Sequence, residues 1–360
     1  MRHNFFFLLF ALLLCSHNNH VYAQIDPPSL EADNIANISF GEDIDCETKY
    51  CRPGVRNRSQ SRGVVIRYER QAGFDWSMAN DRLEGAPVRV NGLEQFTFKF
   101  KVPILNKPGL KFLLGYEWDT EKYYFDNIDP IADGARPTMW QLLDERRLKA
   151  TKISAYLTKS FNETFYISGR LRLSLQGDYD GLMDFAEEYR TYSGGVAFGK
   201  KVSQDEEWGV GLTYSQNPAR TVILPFFIYN KTWNDYWGLE SALPGQIFLR
   251  YNIDPVKQNA FKFGAAADSR FYVINSLGDK SRYTNFEEYY LRRLAVRGLA
   301  QYEHKLSKWF WAFVQGGVVV PINTRFNSIE DVDLDLNTEV GARPFLRIGL
   351  FLAPPKELVR

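Results

Sequence analysis

Histidine and cysteine are scarce in this 360-residue chain, which contains four and three of them. His3, His17, His20 and Cys15 all lie within the first 23 residues, and the rest of the chain has a single histidine, His304. A Ser–His hydrolase and a zinc site both need imidazoles or thiolates grouped together, so neither is indicated. No glycine-rich phosphate loop or dinucleotide fingerprint is present either. We therefore predict no catalytic residue, no metal site and no cofactor.

Net charge and long apolar runs are also nearly absent. The chain has 44 basic and 43 acidic residues, which gives a formal charge of +1. This balance does not favour nucleic acid as a partner, because nucleic-acid-binding surfaces are strongly basic. After residue 23 no run reaches the roughly 20 apolar residues that a membrane-spanning helix requires. A bundle of transmembrane helices is thereby excluded.

The first 23 residues have the three parts of a secretory signal peptide. Arg2 supplies a positive start, residues 5–14 are apolar throughout, and Ala23 is a small residue suited to cleavage. The alternative is a membrane anchor, but ten residues rise only about 15 Å as a helix, half a bilayer. We predict a cleaved signal peptide over residues 1–23. Its removal takes away Arg2 and leaves 43 basic and 43 acidic residues.

The segment 24–61 is polar and contains the two remaining cysteines, Cys46 and Cys51. In an exported protein, two nearby cysteines most simply form a disulfide. Free thiols are the alternative. We expect this segment to be a periplasmic N-terminal arm or a short plug.

From residue 62 onward apolar and polar residues repeatedly alternate. Phe96, Phe98 and Phe100, for example, alternate with Thr97 and Lys99. This period of two is typical of β-strands, whose side chains point to opposite faces in turn. Several alternations last about 10–14 residues, whereas strands of soluble proteins average about 5–6 and a tilted membrane-crossing strand needs about 9–11. The predicted strands are 62–70, 88–103, 110–119, 147–160, 164–177, 190–200, 207–216, 221–229, 236–242, 246–253, 259–269, 288–303, 308–320 and 338–352.

The connections between these strands alternate in length. The long ones are the first, third, fifth, eleventh and thirteenth, at 71–87, 120–146, 178–189, 270–287 and 321–337. All even-numbered connections are short, as are the periplasmic turns of outer-membrane barrels. We predict an all-β fold: a single transmembrane antiparallel up-and-down β-barrel over residues 62–352, followed by a tail at 353–360. It has about fourteen strands, or twelve without the doubtful pair 221–229 and 236–242.

Aromatic residues gather near the ends of the predicted strands, where barrels carry girdles at the lipid headgroups. The predicted girdle residues are Tyr116, Trp118, Tyr179, Trp208, Tyr214, Tyr251, Tyr302, Trp309 and Trp311.

Three short segments carry a family resemblance. Leu224-Pro225, the run Trp237-Gly238-Leu239-Glu240 and Leu243-Pro244-Gly245 resemble an uncharacterised, Bacteroidetes-type family of bacterial outer-membrane β-barrels of unknown function. The resemblance covers roughly residues 60–352. It implies an outer-membrane barrel in a Gram-negative cell and transfers no catalytic residue.

The polar face of the predicted strands is rich in basic residues and is expected to line the barrel interior. The predicted lumen-lining residues are Arg67, Lys99, Lys101, Lys152, Arg170, Arg172, Arg250, Lys262, Arg293, Arg297, Arg343 and Arg347. The acidic residues assigned to the same face are fewer: Glu69, Glu117, Asp119, Glu303 and Glu339. Such a lining attracts anions, so we predict a passive pore for small polar or anionic solutes. Alternatively, these charges pair with one another and fill the interior.

The competing interpretation is a non-conducting structural or binding barrel whose outer loops contact lipopolysaccharide or a partner. A hydrophobic-ligand transporter is a third, which the basic inner face disfavours. Outer-membrane lipid, lipopolysaccharide and the barrel-assembly machinery are the expected partners. The loop 120–146 is a candidate for folding inward as a constriction or short helix. The acidic loop 330–335 lacks the glycine and the distal glutamate of a calcium loop, so a solvated loop is expected there.

Overall fold

A computed structural model describes residues 53–78, 88–126, 128, 139–218, 220–254, 258–275, 288–328 and 335–353. The expected signal peptide, Cys46, Cys51, most of the acidic loop and the tail beyond residue 353 lie outside the described residues.

Fifteen strands and one helix make up the described chain. The strands are β1 (Val64–Met78), β2 (Val88–Lys107), β3 (Leu110–Phe125), β4 (Leu148–Ser160), β5 (Phe165–Gly177), β6 (Arg190–Lys201), β7 (Glu206–Asn217), β8 (Arg220–Thr232), β9 (Trp237–Leu243), β10 (Gln246–Asn252), β11 (Asn259–Asn275), β12 (Glu288–Lys305), β13 (Phe310–Ser328), β14 (Asp335–Val340) and β15 (Arg343–Leu352). The helix is α1 (Met139–Glu145).

The sheet closes on itself into an antiparallel barrel. Each strand pairs with its sequence neighbours, and β1 pairs with both β14 and β15, which lie end to end against β13. The two short strands together form one crossing of the wall, so the barrel has fourteen strands. A closed sheet leaves no unpaired edge around its circumference, which a lipid environment requires. The predicted fold class and strand number are confirmed.

The prediction of one unbroken strand over 338–352 is wrong. The pairing changes at residues 341–342, where Asp75 accepts a hydrogen bond from Gly341 N at 3.3 Å. The break shifts the alternation by one residue, so that Thr338 faces inward and Glu339 is exposed. Glu339 was expected in the lumen. An irregularity of this kind reverses the faces of every residue beyond it.

The outer face of the barrel carries the apolar residues. Large aliphatic side chains are exposed on nearly every strand, as a lipid-facing belt requires. Examples are Ile66, Val102, Leu114, Ile153, Leu171, Val196, Leu212, Ile223, Ile247, Phe263, Val296, Val314 and Ile348. The buried side chains are charged and polar residues together with an almost equal number of apolar ones.

Most of the predicted aromatic girdle lies on the outside, but two of its members are wrong. Tyr179 is buried in the loop after β5, and Trp311 faces inward on β13 against Phe351. Trp309, in the turn before β13, is exposed. Alternation alone does not separate an inward ring near a strand end from an outward one, because both occupy the same height on the barrel.

One long connection folds inward, as the sequence suggested. In the third connection, α1 buries Trp140 and Leu143 against residues of the barrel interior. The Asp144 side chain accepts a hydrogen bond from Phe125 N at 3.1 Å, and Lys122 donates to the Asp144 carbonyl. Among the described residues no helix has the length and apolarity needed to span a bilayer.

Two glycines on adjacent strands, Gly298 on β12 and Gly317 on β13, give a test of the packing of the wall. A Cβ on Gly317 would lie 2.0 Å from the Gly298 carbonyl oxygen, whereas a Cβ on Gly298 would meet nothing within 4 Å. We expect Gly317→Ala to lower the free energy of unfolding by about 1–3 kcal/mol through overpacking. Urea unfolding in lipid vesicles measures it, with Gly298→Ala as the matched control. Equal stability of the two variants would contradict this account of the packing.

Candidate functional site

The barrel interior is filled in layers. We call the end carrying the N-terminal arm and the short turns the periplasmic end, and the opposite one the extracellular end. At the extracellular end an aromatic cluster, defined by Trp76, Tyr123, Trp140, Tyr272 and Phe326, fills the interior. The Trp76 ring lies 5.0 Å from that of Trp140 and 5.7 Å from that of Phe326, centre to centre. These rings come from non-adjacent strands and from α1, so they pack across the lumen.

A second contact closes the same end. The upper part of β11 leans across to the end of β5, where Val273 pairs with Gly177 in parallel and its carbonyl accepts a hydrogen bond from Asp178 N at 3.1 Å. Tyr179 and Tyr189, in the loop after β5, pack against it. Burial raises the pKa of each of these two tyrosines to about 12. The contact also has polar members, because Asn275 donates to the Tyr189 hydroxyl at 2.7 Å and Asp178 pairs with Arg146.

Below the aromatic cluster lies a layer of ion pairs that cross the lumen. Arg293 on β12 donates to both carboxylate oxygens of Glu121 on β3, at 2.7 and 2.8 Å. Arg297 on β12 binds Glu69 on β1 at 2.8 Å and Asp268 on β11 at 2.5 Å. Paired, bidentate geometry of this kind is what allows charges to be buried. The layer therefore ties strands that are distant around the circumference.

The charges are also paired along the wall. Lys152 Nζ lies 3.1 Å from Glu117 and 2.9 Å from Asp119, while Lys99 lies 2.8 Å from the other oxygen of Glu117. These contacts run between adjacent strands at the height of the ion-pair layer. The expected alternative of mutual pairing therefore holds for part of the lining.

Beneath the ion pairs the barrel encloses a cavity of about 270 Å³, which we call the chamber. Ten of its lining residues are cationic and three are anionic. The cationic residues are Arg58, Arg62, Arg67, Lys99, Lys101, Lys152, Lys262, Arg270, Arg297 and Arg347, and the anionic ones are Glu117, Glu240 and Asp268. Three further carboxylates outside the lining, Glu69, Asp119 and Glu303, pair with six of these cations. Ten cations thus face six carboxylates, and a low-dielectric wall strengthens the field of the remaining positive charge.

The described part of the N-terminal arm, residues 53–63, lies across the periplasmic end of the barrel. Gly54 N donates to Glu207 on β7, and Ser59 N donates to Glu240 on β9 at 2.9 Å. Arg62 reaches Glu303 on β12 at 2.5 Å, and its guanidinium lies 4.7 Å from the centre of the Phe351 ring. The arm thus contacts strands on several sides of the opening and supplies Arg58 to Arg62 to the chamber.

All twelve basic residues predicted for the lumen face inward, but they do not form one surface. The chamber is lined by Arg67, Lys99, Lys101, Lys152, Lys262, Arg297 and Arg347. The remaining five, Arg170, Arg172, Arg250, Arg293 and Arg343, are buried elsewhere in the interior. Arg343, for example, donates to Gln71 at 2.5 Å and lies over the Phe74 ring at 4.2 Å. A role of any of them in conduction stays a prediction.

The sequence analysis missed several interior charges. Glu121 and Arg270 were overlooked because β3 and β11 extend beyond their predicted ends at residues 119 and 269. Asp268 and Glu240 lie within predicted strands, and their positions in the alternation could have identified them. Arg58 belongs to the arm, whose course across the barrel no strand pattern can indicate. Arg62 was placed at the start of the first predicted strand, whereas it precedes β1 in the structure.

His304 lies within the last residues of β12, where its Nδ1 is 2.7 Å from Asn259 Oδ1 on β11. Within the described ranges, no group of three histidine, cysteine, aspartate or glutamate side chains could hold a metal ion.

Comparisons with known proteins find only distant structural similarity. No protein family model matches the chain, and no curated protein matches it in sequence. An outer-membrane channel from Pseudomonas putida F1 aligns with 11% identity and a TM-score of 0.41, over 86% of this chain and all of that one. A Pseudomonas aeruginosa FadL homologue gives 10% and 0.37, over 81% and 90%. The KdgM porin in complex with disordered oligogalacturonate gives 10% and 0.32, over 81% and 99%.

The ion pair between Arg293 and Glu121 provides a test of the charged layer. Arg293→Met leaves Glu121 buried without this cation, so we expect the free energy of unfolding to fall by about 3–5 kcal/mol. Adding Glu121→Leu removes the buried charge and should recover part of that loss. Urea unfolding in lipid vesicles measures the free energy of unfolding of the two single variants, Arg293→Met and Glu121→Leu, and of the double variant. A double variant whose loss is the sum of the two single losses would contradict direct pairing.

Proposed function

We propose that this protein is an outer-membrane channel for small polar solutes that prefers anions. The observation that carries the proposal is the chamber, with ten cationic and three anionic lining residues inside a closed, lipid-facing barrel. A charged lining of one sign concentrates counter-ions and repels ions of the same sign. Counting Glu69, Asp119 and Glu303, which pair with lining cations from outside the lining, ten cations face six carboxylates, so part of the positive excess remains.

The exterior supports a location in a Gram-negative outer membrane. The apolar belt faces outward, and several of the long connections alternate with short turns as in bacterial outer-membrane barrels. Lipid, lipopolysaccharide and the assembly machinery are the partners that this location implies. Membership of the uncharacterised Bacteroidetes-type family is part of the same proposal, and it is supported only by the short segments quoted above.

The arm is proposed to narrow the periplasmic opening as a plug. Its support is the set of contacts that residues 54–62 make with β7, β9 and β12. Because Arg56 and Asp205 form their ion pair at an exposed position, this part of the arm is held more weakly than Arg62.

A non-conducting barrel is the second candidate function. It is favoured by the aromatic cluster, which fills the extracellular end with rings from β1, β3, β13 and α1. Such a barrel would use its outer loops for binding lipopolysaccharide or a partner. A correctly folded protein that gives no ion current at any voltage would establish this alternative over the first.

Ion selectivity provides the direct test. In a planar bilayer with a KCl gradient, we expect the reversal potential to have the same sign as the equilibrium potential of chloride. The double variant Lys101→Gln/Arg67→Gln removes two chamber cations and should shift this potential towards potassium. Lys159→Gln is the matched control, because Lys159 is exposed on the outer face and its loss should leave selectivity unchanged. Cation selectivity of the unmodified protein would overturn the anion preference.

Conductance tests the plug. Replacing Arg56 and Arg62 by alanine removes the ion pairs with Asp205 and Glu303, and we expect a larger single-channel conductance as the arm is released. Single-channel recording measures this change. Arg190→Ala is the control, because Arg190 lies at the start of β6 and donates to the Phe185 carbonyl in the loop after β5, at the end of the barrel opposite the arm. An unchanged conductance in the arm variant would show that the arm does not limit flow.

A further inference from the structure

The wall of the barrel is lower on one side than elsewhere. β9 and β10 have seven residues each, whereas β8 has 13 and β11 has 17. Seven residues extend about 23 Å, and at a tilt of about 45° they cover only about 16 Å of height, half of a bilayer core. The hairpin they form therefore ends partway across the membrane.

Above the hairpin the neighbouring strands diverge. Pairing of β8 with β9 stops at Phe227, and pairing of β10 with β11 stops at Ala266. Beyond these points β11 leans away to β5 instead of following β8. Among the described residues no strand lies between the two. We call this opening the wall notch, bounded by residues 220–226, the turn 244–245 and residues 267–275.

The wall notch lies at the height of the lipid-facing belt. On β8, Ile223 is 64% exposed on the outer face. It pairs with Tyr214, and Pro225 below it pairs with Leu212, both on β7 and both exposed to the outside. Non-helical backbone at membrane depth is tolerated only where protein covers it or where it lines a water-filled cavity. The backbone groups of β8 that border the notch therefore need water or a polar ligand group as hydrogen-bond partners.

The floor of the notch is apolar and adjoins the chamber. Phe226 and Ile228 on β8 form a cluster with Ala242 on β9, against which Leu224 and Ala267 pack. Ala267 lines the chamber as well, although Ala266 and Asp268 on either side of it are the buried, inward residues of β11. One residue thus separates the basic chamber from the apolar floor of the notch.

We propose that the wall notch is a lateral opening for an amphiphilic anion, whose charged head enters the chamber while its apolar tail lies over the notch floor towards lipid. The inference rests on the proposed anion-selective chamber and adds its ligand class. The alternative axial path at the extracellular end is filled by the aromatic cluster and by the contact of β11 with β5. A twelve-carbon carboxylate has the required chemistry, with one carboxylate for the chamber cations and one chain for Leu224 and Phe226.

Lipid access to the notch is tested without any current. A bimane label is attached to Leu224→Cys in a full-length protein with Cys46→Ser and Cys51→Ser, and phospholipids brominated on their chains are used as quenchers. Ser154→Cys is the matched control, because Ser154 faces inward on a strand paired on both sides. We expect strong quenching at residue 224 and little at residue 154. Equal quenching at the two positions would overturn the lateral opening.

Block of the anion current tests the ligand. Dodecanoate should block at a concentration at least about tenfold below that of acetate, a difference of about 1.4 kcal/mol, while dodecanol should not block. Ala267→Trp fills the junction and should weaken the block by dodecanoate, measured as the fraction of each variant's own current that is blocked. Ala300→Trp places the same ring on the outer face of β12 and should leave that fraction unchanged. Block that is equal in these two variants would overturn the proposal, as would equal block by acetate and dodecanoate.

The two failures are distinguishable. Absence of current from the folded, unmodified protein would refute the proposed channel while the quenching at residue 224 still reports on the notch. A normal anion current with no quenching at residue 224 would refute the lateral opening and leave the channel intact. The heat-dependent shift of the folded band on gels shows that each variant is folded before it is used.

Discussion

Closure of the sheet by β1 against the last strand is the interaction on which the rest of the structure depends. The bilayer offers no water to free backbone groups, so fourteen strands are stable there only as a ring. Closure also creates the interior into which the basic and acidic side chains point. Arg297 reaches Glu69 on β1 only because the ring brings β12 and β1 close. The charged layer and the chamber are therefore consequences of the same backbone pairing.

The interior changes in character along the barrel axis. Rings pack at one end, ion pairs cross the middle, and the arm lies at the other end. The middle layers place many charges in a confined space, which is tolerable because carboxylates and guanidinium groups meet in paired geometry. In the chamber, cations outnumber carboxylates. The net charge of the site is therefore the positive charge that internal ion pairing leaves uncompensated.

The architecture was predictable from the sequence, and its site was predictable in part. Alternation places Arg67, Lys99 and Lys262 on the inner face, and in the structure these three residues line the chamber. Alternation could not reveal which inward residues meet, because Arg293 and Glu121 are 172 residues apart in the chain. It also failed at Glu339, where a break in the last strand reverses the faces.

Other features depend on tertiary contacts that no local pattern records. The shortness of β9 and β10 was visible in the sequence only as a doubtful pair of segments. These short strands leave an opening in the wall only because β11 pairs with β10 at one end and with β5 at the other. The course of the arm depends in the same way on carboxylates of β7, β9 and β12.

The arm contacts have a consequence for assembly. Glu207, Glu240 and Glu303 lie on strands spread around the opening, and they come within reach of residues 54–62 together only when the ring exists. The arm precedes the barrel in the chain, yet its docking site is completed last. Docking of residues 54–62 therefore depends on the completed ring, and an incompletely closed barrel would leave them without these partners.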